Sequence, residues 1–272
     1  MKHIGLILRY VFIVVMAVIT LFPFVYMLSG SLMTYQEGTS IPPTLVPAVP
    51  QWGNFAEAMR QAPFARYFVN TILVAGACTL GTLITTVLAG FALTCLDFRF
   101  KKALMAALVA LLMVPYEIVV FTNYSTIADL GLLDTYPALI LPSLASVFYI
   151  FYLTQYLTAV PRTYYNAAKV QGCGDLEFIW KVMLPMCRPA LFTMGLLLFI
   201  GGWNNFLWPI LVTNTTDMRL ISNGLSAFAS ESGTAVQLQM AASAITIIPI
   251  LVLYAIFHRH IIEGVAQNGI KG

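Results

Sequence analysis

Residues Val160–Pro189 read VPRTYYNAAKVQGCGDLEFIWKVMLPMCRP, a polar, basic, helix-forming island set between two apolar runs. The chain around it has 272 residues, of which 60% are hydrophobic and 9% charged. An ordinary soluble domain is nearer 45–50% apolar with about 25% charge. The apolar residues come in blocks. No charged side chain lies between Arg9 and Glu37, Arg66 and Asp97, Asp134 and Arg162, Arg188 and Asp217, or Glu231 and Arg259. Each gap exceeds the roughly 20 residues a helix needs to cross the hydrocarbon core. A further block, Ala103–Asn123, is interrupted only by Glu117. The pattern predicts an all-α polytopic membrane protein, a single domain over 1–272. Its six spans are expected at about 10–32, 68–94, 103–123, 136–156, 189–212 and 236–257, with the island between the fourth and fifth. The first span is too long for a cleaved signal and reads as an anchor.

Lysine and arginine set the orientation. Lys2, Arg9, Arg99, Lys101, Lys102, Arg162, Lys169, Lys181, Arg188, Arg259 and Lys271 fall on one side of this topology, against Arg60, Arg66 and Arg219 on the other. Both termini and the island are therefore expected in the cytoplasm, and the net charge of +3 is a topology signal, not a nucleic-acid footprint. Cys78, Cys95, Cys173 and Cys187 lie in spans or on the cytoplasmic side, where a disulfide is not expected, and no pair has zinc spacing. The outer loop 33–66 opens with Pro42, Pro43, Pro47 and Pro50 and should run extended. Asn54 then stands where it can cap a short helix on the membrane face.

Within the island, Pro161 is a helix-starting residue, and Arg162–Gln171 reads as one short helix broken by Gly172 and Gly174. Asp175 can cap a second helix through about Leu184, ended by Pro185 and Pro189. The small residues Ala167 and Ala168 would admit a partner backbone. Two readings stand side by side: a solvated connector, or a rigid element that carries motion between a soluble partner and the bundle.

The segment Asn166-Ala-Ala-Lys-Val-Gln-Gly172, followed by Val182-Met-Leu-Pro185, resembles the EAA loop of the permease subunits of binding-protein-dependent ABC importers. Leu130-Gly-Leu-Leu-Asp-Thr, Ala138-Leu-Ile-Leu-Pro142, Gly202-Trp-Asn-Asn-Phe-Leu-Trp-Pro209 and the ending Gly269-Ile-Lys-Gly are similar to segments of the carbohydrate-uptake branch. The likeness is strongest to the six-span second permease of maltose-type and glycerol-3-phosphate-type systems. It implies the type I ABC importer permease fold with a cytoplasmic coupling helix between spans 4 and 5. Asn166, Ala167, Ala168, Gln171, Gly172, Leu184 and Pro185 would then contact an ATPase, and the tail residues Gly269, Lys271 and Gly272 would reach it too. The implied partners are a second, homologous permease, two cytoplasmic ATP-binding subunits, an extracytoplasmic solute-binding protein and the lipid bilayer of the bacterial inner membrane. No cofactor is expected on this chain, because ATP and magnesium would belong to the ATPase subunits. Two departures stand out: Asn166 and Gln171 occupy positions where the family usually carries acids, and charge-assisted hydrogen bonds are the stronger ones.

Inside the spans, Glu117 sits ~22 Å along a continuous helix from Lys102. It is either interfacial and solvated or turned into a translocation cavity. Trp203, Asn204, Asn205 and Trp208 combine amides and indole N–H groups with aromatic faces, which suits sugars, and equally suits packing between helices. The function this supports is half of the pore of an ATP-driven importer for a sugar, oligosaccharide or related polyol or phosphate solute. An ion-coupled secondary transporter is the alternative, and it would need mid-membrane ionisable groups that Glu117 alone hardly supplies. No catalytic cluster is expected; His3, His258 and His260 lie at span ends.

Overall fold

The computed structural model describes residues 2–230 and 233–266. In chain order its α-helices are α1 (Lys2–Ser31), α2 (Tyr35–Gly38), α3 (Gly53–Gln61), α4 (Phe64–Cys95), α5 (Lys101–Leu111), α6 (Tyr116–Asp129), α7 (Tyr136–Ile140) and α8 (Val147–Thr158). They continue with α9 (Thr163–Val170), α10 (Asp175–Phe178), α11 (Leu184–Met186), α12 (Arg188–Trp203), α13 (Leu207–Val212), α14 (Ile221–Gly224) and α15 (Val236–Ala266). Among the described residues the exception to the α-class is a ladder of two antiparallel two-residue strands, Ala229–Ser230 with Gly233–Thr234. Among the described residues three helices are long and apolar enough to cross a membrane, α1, α4 and α15, and the number rises to as many as six if each bent helix pair counts as one span.

The bends correct the expectation of straight spans. The third expected span is two helices, α5 and α6, meeting at 100°. Pro115 has no N–H to continue the ladder and stands as the N-cap of α6. The distance assigned to Glu117 along one continuous helix is therefore wrong: it lies in the first turn of α6, beyond the bend. The fourth span is α7, a 3₁₀ turn at Leu141–Ser143 and α8, bent by 41°. The fifth breaks between Trp203 and Leu207.

A break in a membrane helix frees carbonyls that lipid cannot satisfy. Here α4 supplies the donors. Thr82 Oγ1 donates to Ser143 O at 2.6 Å and Thr85 Oγ1 to Leu144 O at 2.5 Å, so the α7–α8 break is sealed by hydroxyls one turn apart. Two turns before Thr82, α4 runs close to α12, where a Cβ added at Gly202 would lie 3.2 Å from Ala75 Cβ and 3.3 Å from its Cα. Small residues at such a crossing let backbones approach.

The chain forms two compact units. The first draws on Met1–Phe64 and Gly224–Leu253. In it α2 is closed by a capping box: Thr34 Oγ1 accepts from Glu37 N, and the Glu37 carboxylate accepts from Thr34 N. The same carboxylate accepts from Ala48 N at 2.9 Å, which pins the proline-rich loop. Asn54 does not cap α3, whose N-cap is Trp52. Its amide instead donates to Ser31 O and Met33 O.

The second unit is drawn from Ala65–Asn223 and Tyr254–Gly272 and has two apolar cores. One joins Val74, Ile127, Ala138, Leu139, Trp208, Val212 and Leu220. The other joins Val87 and Phe91 of α4, Leu153 and Leu157 of α8, and Met194 of α12 to Phe178, Ile179, Met183 and Cys187 of the island.

Candidate functional site

The island divides into a presented half and an anchored half. The helix α9 is shorter than expected, and no residue in it is buried. It ends in a Schellman turn: Cys173 N donates to Ala168 O and Gly172 N to Lys169 O, with Gly172 at φ +78°. Nothing lies within 4 Å of a Cβ added at Gly172, so glycine is there for its backbone angle, not for space.

Pro161 precedes the N-cap, Arg162. The Arg162 guanidinium holds both carboxylate oxygens of Asp97 and donates to Cys95 O. That fork ties the start of α9 to the end of α4. Hydrogen bonding to Arg162 holds the Asp97 carboxyl below the usual range and raises Arg162. Lys101 caps the same end of α4 through Thr94 O and Leu96 O, meeting the orphan carbonyls of a helix C-terminus with a cation.

Past the turn, Gly174 rather than Asp175 is the N-cap of α10. Pro185 does not end the helix that follows either. The chain goes from α10 into a π-helical turn, Ile179–Met183, and on through α11. A proline ring clashes with the carbonyl four residues back, here Lys181, and the wider π turn takes up that misfit. The backbone then bends by 83° into α12.

Of the seven residues expected to face an ATPase, Asn166, Ala167, Gln171, Gly172 and Pro185 are exposed. Ala168 and Leu184 turn inward and pack against the island core. The tail residues Gly269, Lys271 and Gly272 lie outside the described residues.

The second locus is a cavity of about 510 Å³ walled by α4, the α7–α8 break, α12 and α13. Its polar lining is Cys78, Thr82, Tyr116, Ser143, Ser146, Tyr149 and Asn205, its aromatic wall is Trp208, and no described lining residue carries a charge. Of the residues expected to meet substrate, Asn205 and Trp208 line this cavity. Asn205 O accepts from Ser222 Oγ at 2.5 Å, which fixes the backbone just before α13. Trp203 is buried in ring contact with Phe68 and Phe199 at 5.9 and 6.1 Å, a packing role. Asn204 is exposed, and so is Glu117, which stands beside the cavity residue Tyr116. Trp208 donates from Nε1 to Ala138 O at 2.9 Å with 1% of its surface exposed.

At the end of this unit away from the island, Asn70 is fully buried. Its amide donates to Asp217 O and Arg219 O at 2.7 and 3.0 Å, and its oxygen accepts from Tyr136 Oη at 2.7 Å. Ile221 N donates to Thr71 Oγ1, and Asp134 Oδ1 accepts from Asn214 N and Thr215 N. These bonds lock the 213–221 loop onto α4 and onto the turn between α6 and α7. Sequence reasoning passed over this network. Its signal was Asn70, a lone amide early in the charge-free run from Arg66 to Asp97.

The second unit is thus a bundle of bent helices with a short exposed helix anchored to its core, and similarity to known proteins gives its class. The family described as binding-protein-dependent transport system inner membrane component matches residues 81–267, and the chain belongs to that family; it is a permease subunit of an ABC importer. It is 31% identical over 206 residues to the arabinooligosaccharides transport system permease protein AraQ of Halalkalibacterium halodurans, covering 76% of this chain and 74% of the relative. It is 28% identical to the sn-glycerol-3-phosphate transport system permease protein UgpE of Yersinia pestis, with 95% of each chain covered. It is also 28% identical to the sulfoquinovosyl glycerol transport system permease protein SmoH of Agrobacterium fabrum, over 97% of this chain and 94% of that one. A solved bacterial ABC transporter involved in the import of the acidic polysaccharide alginate has the same fold. It superposes with a TM-score of 0.82 at 22% identity, over 95% of this chain and 96% of that one.

Proposed function

We propose that this permease forms half of the pore for an uncharged, hydroxyl-rich solute, a sugar, oligosaccharide or polyol, and that α9 couples the pore to separate ATPase subunits. The observation that carries the solute class is the cavity, whose hydroxyls, amide and indole face are suited to sugar hydroxyls and C–H faces. Relatives named for arabinooligosaccharides, glycerol-3-phosphate and sulfoquinovosyl glycerol all point to polyhydroxylated solutes. Two of those solutes carry an anionic group, and a buried anion needs a cationic or hydrogen-bonded partner. The uncharged wall favours a neutral solute on this side of the pore. Asn205, Ser146 and Tyr149 are proposed as the solute contacts, with Tyr116 at the rim.

The partners are a second, homologous permease, two cytoplasmic ATPases and an extracytoplasmic binding protein that delivers the solute to the face carrying the 213–221 loop. Both termini of this chain are then cytoplasmic. The exposed residues Asn166, Ala167, Gln171 and Gly172 form the ATPase contact. ATP closes the ATPase pair, α9 moves with it, and the pore shifts between inward- and outward-facing states, whose populations follow the differential binding of ATP.

The test is uptake by proteoliposomes holding the four-subunit complex and its binding protein. A neutral oligosaccharide is expected to be transported, and glycerol-3-phosphate is not. Gly172→Pro, which fixes φ near −65° and removes the N–H bonded to Lys169 O, is expected to leave assembly intact and abolish binding-protein-stimulated ATP hydrolysis. Preferred uptake of the anion would overturn the neutral class. Normal stimulation in Gly172→Pro would overturn the coupling role.

A further inference from the structure

Resting on that coupling role for α9, we propose that Tyr165 is the positioning residue that makes α9 and α10 one rigid lever and seats it on α4 through Phe91.

A helix of α9's length does not hold its shape alone in water, and with no residue buried it cannot be held by its own core. Its orientation must come from particular contacts. The fork from Arg162 fixes its N-cap. Along its length the contacts converge on one side chain. The Tyr165 ring meets Phe91 edge-on at 5.8 Å and Phe178 edge-on at 5.1 Å, and those two rings meet each other at 6.2 Å. Edge-to-face geometry at these separations is the favoured aromatic arrangement. Phe91 and Phe178 are each 5% exposed and belong to the core shared with α8 and α12. One ring therefore joins α9, α10 and α4.

The hydroxyl and the neighbouring cation complete the lock. Tyr165 Oη donates to Asp175 Oδ1 at 2.8 Å, and Lys169 Nζ reaches the same oxygen at 2.6 Å while lying 5.4 Å from the Tyr165 ring centroid. Asp175 opens α10, so the bond spans the Schellman turn and fastens the two helices on either side of it. A force applied to the exposed face of α9 then cannot bend the turn at Gly172. It is passed to Phe178 and Phe91, and so to α4, whose threonines hold the α7–α8 break at the solute cavity. The departures at Asn166 and Gln171 lie on the exposed face, apart from this lock.

The experiment measures ATP turnover of the reconstituted four-subunit complex with and without the binding protein of the same system. Tyr165→Ala is expected to lower the stimulated kcat about tenfold with KM for ATP unchanged and with both ATPases still co-purifying. Phe91→Ala should reproduce this, and the double variant should be no worse than either single one, because both remove the same contact. Tyr165→Phe, which keeps the ring, should retain more than about half of the stimulation. Full stimulation in Tyr165→Ala, additive losses in the double variant, or loss of ATPase co-purification would each overturn the proposal. Gly172→Pro serves as the control: if it uncouples while Tyr165→Ala does not, only the positioning role fails, and if neither uncouples, the coupling role of α9 fails with it.

Discussion

Asp175 shows how one exposed carboxylate can serve as a joint. Hydrogen bonds from Lys169 and Tyr165 hold its carboxyl below the usual aspartate range, and the same contact raises Lys169. For an acid with a lowered folded pKa, the contribution is complete above the ordinary value and is lost as pH falls through the lowered one. For a raised lysine it is complete below the ordinary value and lost as pH rises through the raised one. With ordinary values of about 3.9 and 10.4, the joint is fully charged across the range a transporter meets. The difference in stimulated ATP turnover between the protein and Asp175→Asn is therefore expected to be constant between about pH 5 and 9. A titration of that difference near neutrality, followed on the reconstituted complex, would contradict this. Asn70 acts at the same scale in a different setting: buried and fully bonded, it closes two carbonyls that would otherwise be stranded, and each stranded group costs about 1–3 kcal/mol.

At the scale of elements, the broken helices carry the design. A straight span satisfies its own backbone, whereas a broken one depends on neighbours. The α7–α8 break depends on Thr82 and Thr85, and the α12–α13 break on Ser222. These breaks border the cavity, so the freed backbone is where the solute pathway is proposed. The α4–α12 crossing fixes the wall between them. Gly202→Ala would press a methyl against the Ala75 backbone, and overpacking of this kind costs about 1–3 kcal/mol. The expected outcome is a lower Tm in detergent, by scanning fluorimetry, with the far-UV helical signal unchanged. An unaltered Tm would mean that the two helices are free to separate.

At the scale of the molecule, α1 is the least self-sufficient of the three long described helices: none of its apolar window is buried within the chain. Along it, Leu8 and Phe12 are 70% and 65% exposed, far more apolar surface than a monomer leaves to water. Lipid and a second permease are the two covers proposed for it. Anything that binds only the folded state raises its stability. The purified chain is therefore expected to unfold at a lower temperature alone than in complex with the second permease, by at least several degrees in the same detergent. Equal melting of the free and complexed chain would show that α1 needs no protein cover.

The sequence by itself determined the class. Charge-free runs longer than a bilayer crossing can only be satisfied by helices, and the island stood out because polar, basic residues have no reason to interrupt such runs unless they face water. Gly172 was legible as a breaker, and its positive φ gives the reason. Bend angles, the anchored half of the island and the identity of the cavity wall were not legible. Pro115 and Pro185 look alike on paper, yet one stands at a 100° bend and opens a new helix while the other is absorbed by a π turn, because the outcome depends on which neighbours accept the displaced backbone. Ala168 and Leu184 read as a docking face and pack inward, whereas Asp175 read as a helix cap and instead accepts from Tyr165 and Lys169 across the turn. Local sequence sets how apolar a helix is and, to within a residue or two, where it begins. Only tertiary packing decides which of its faces is left for a partner, since that depends on residues such as Phe91 and Phe178 meeting across long stretches of chain.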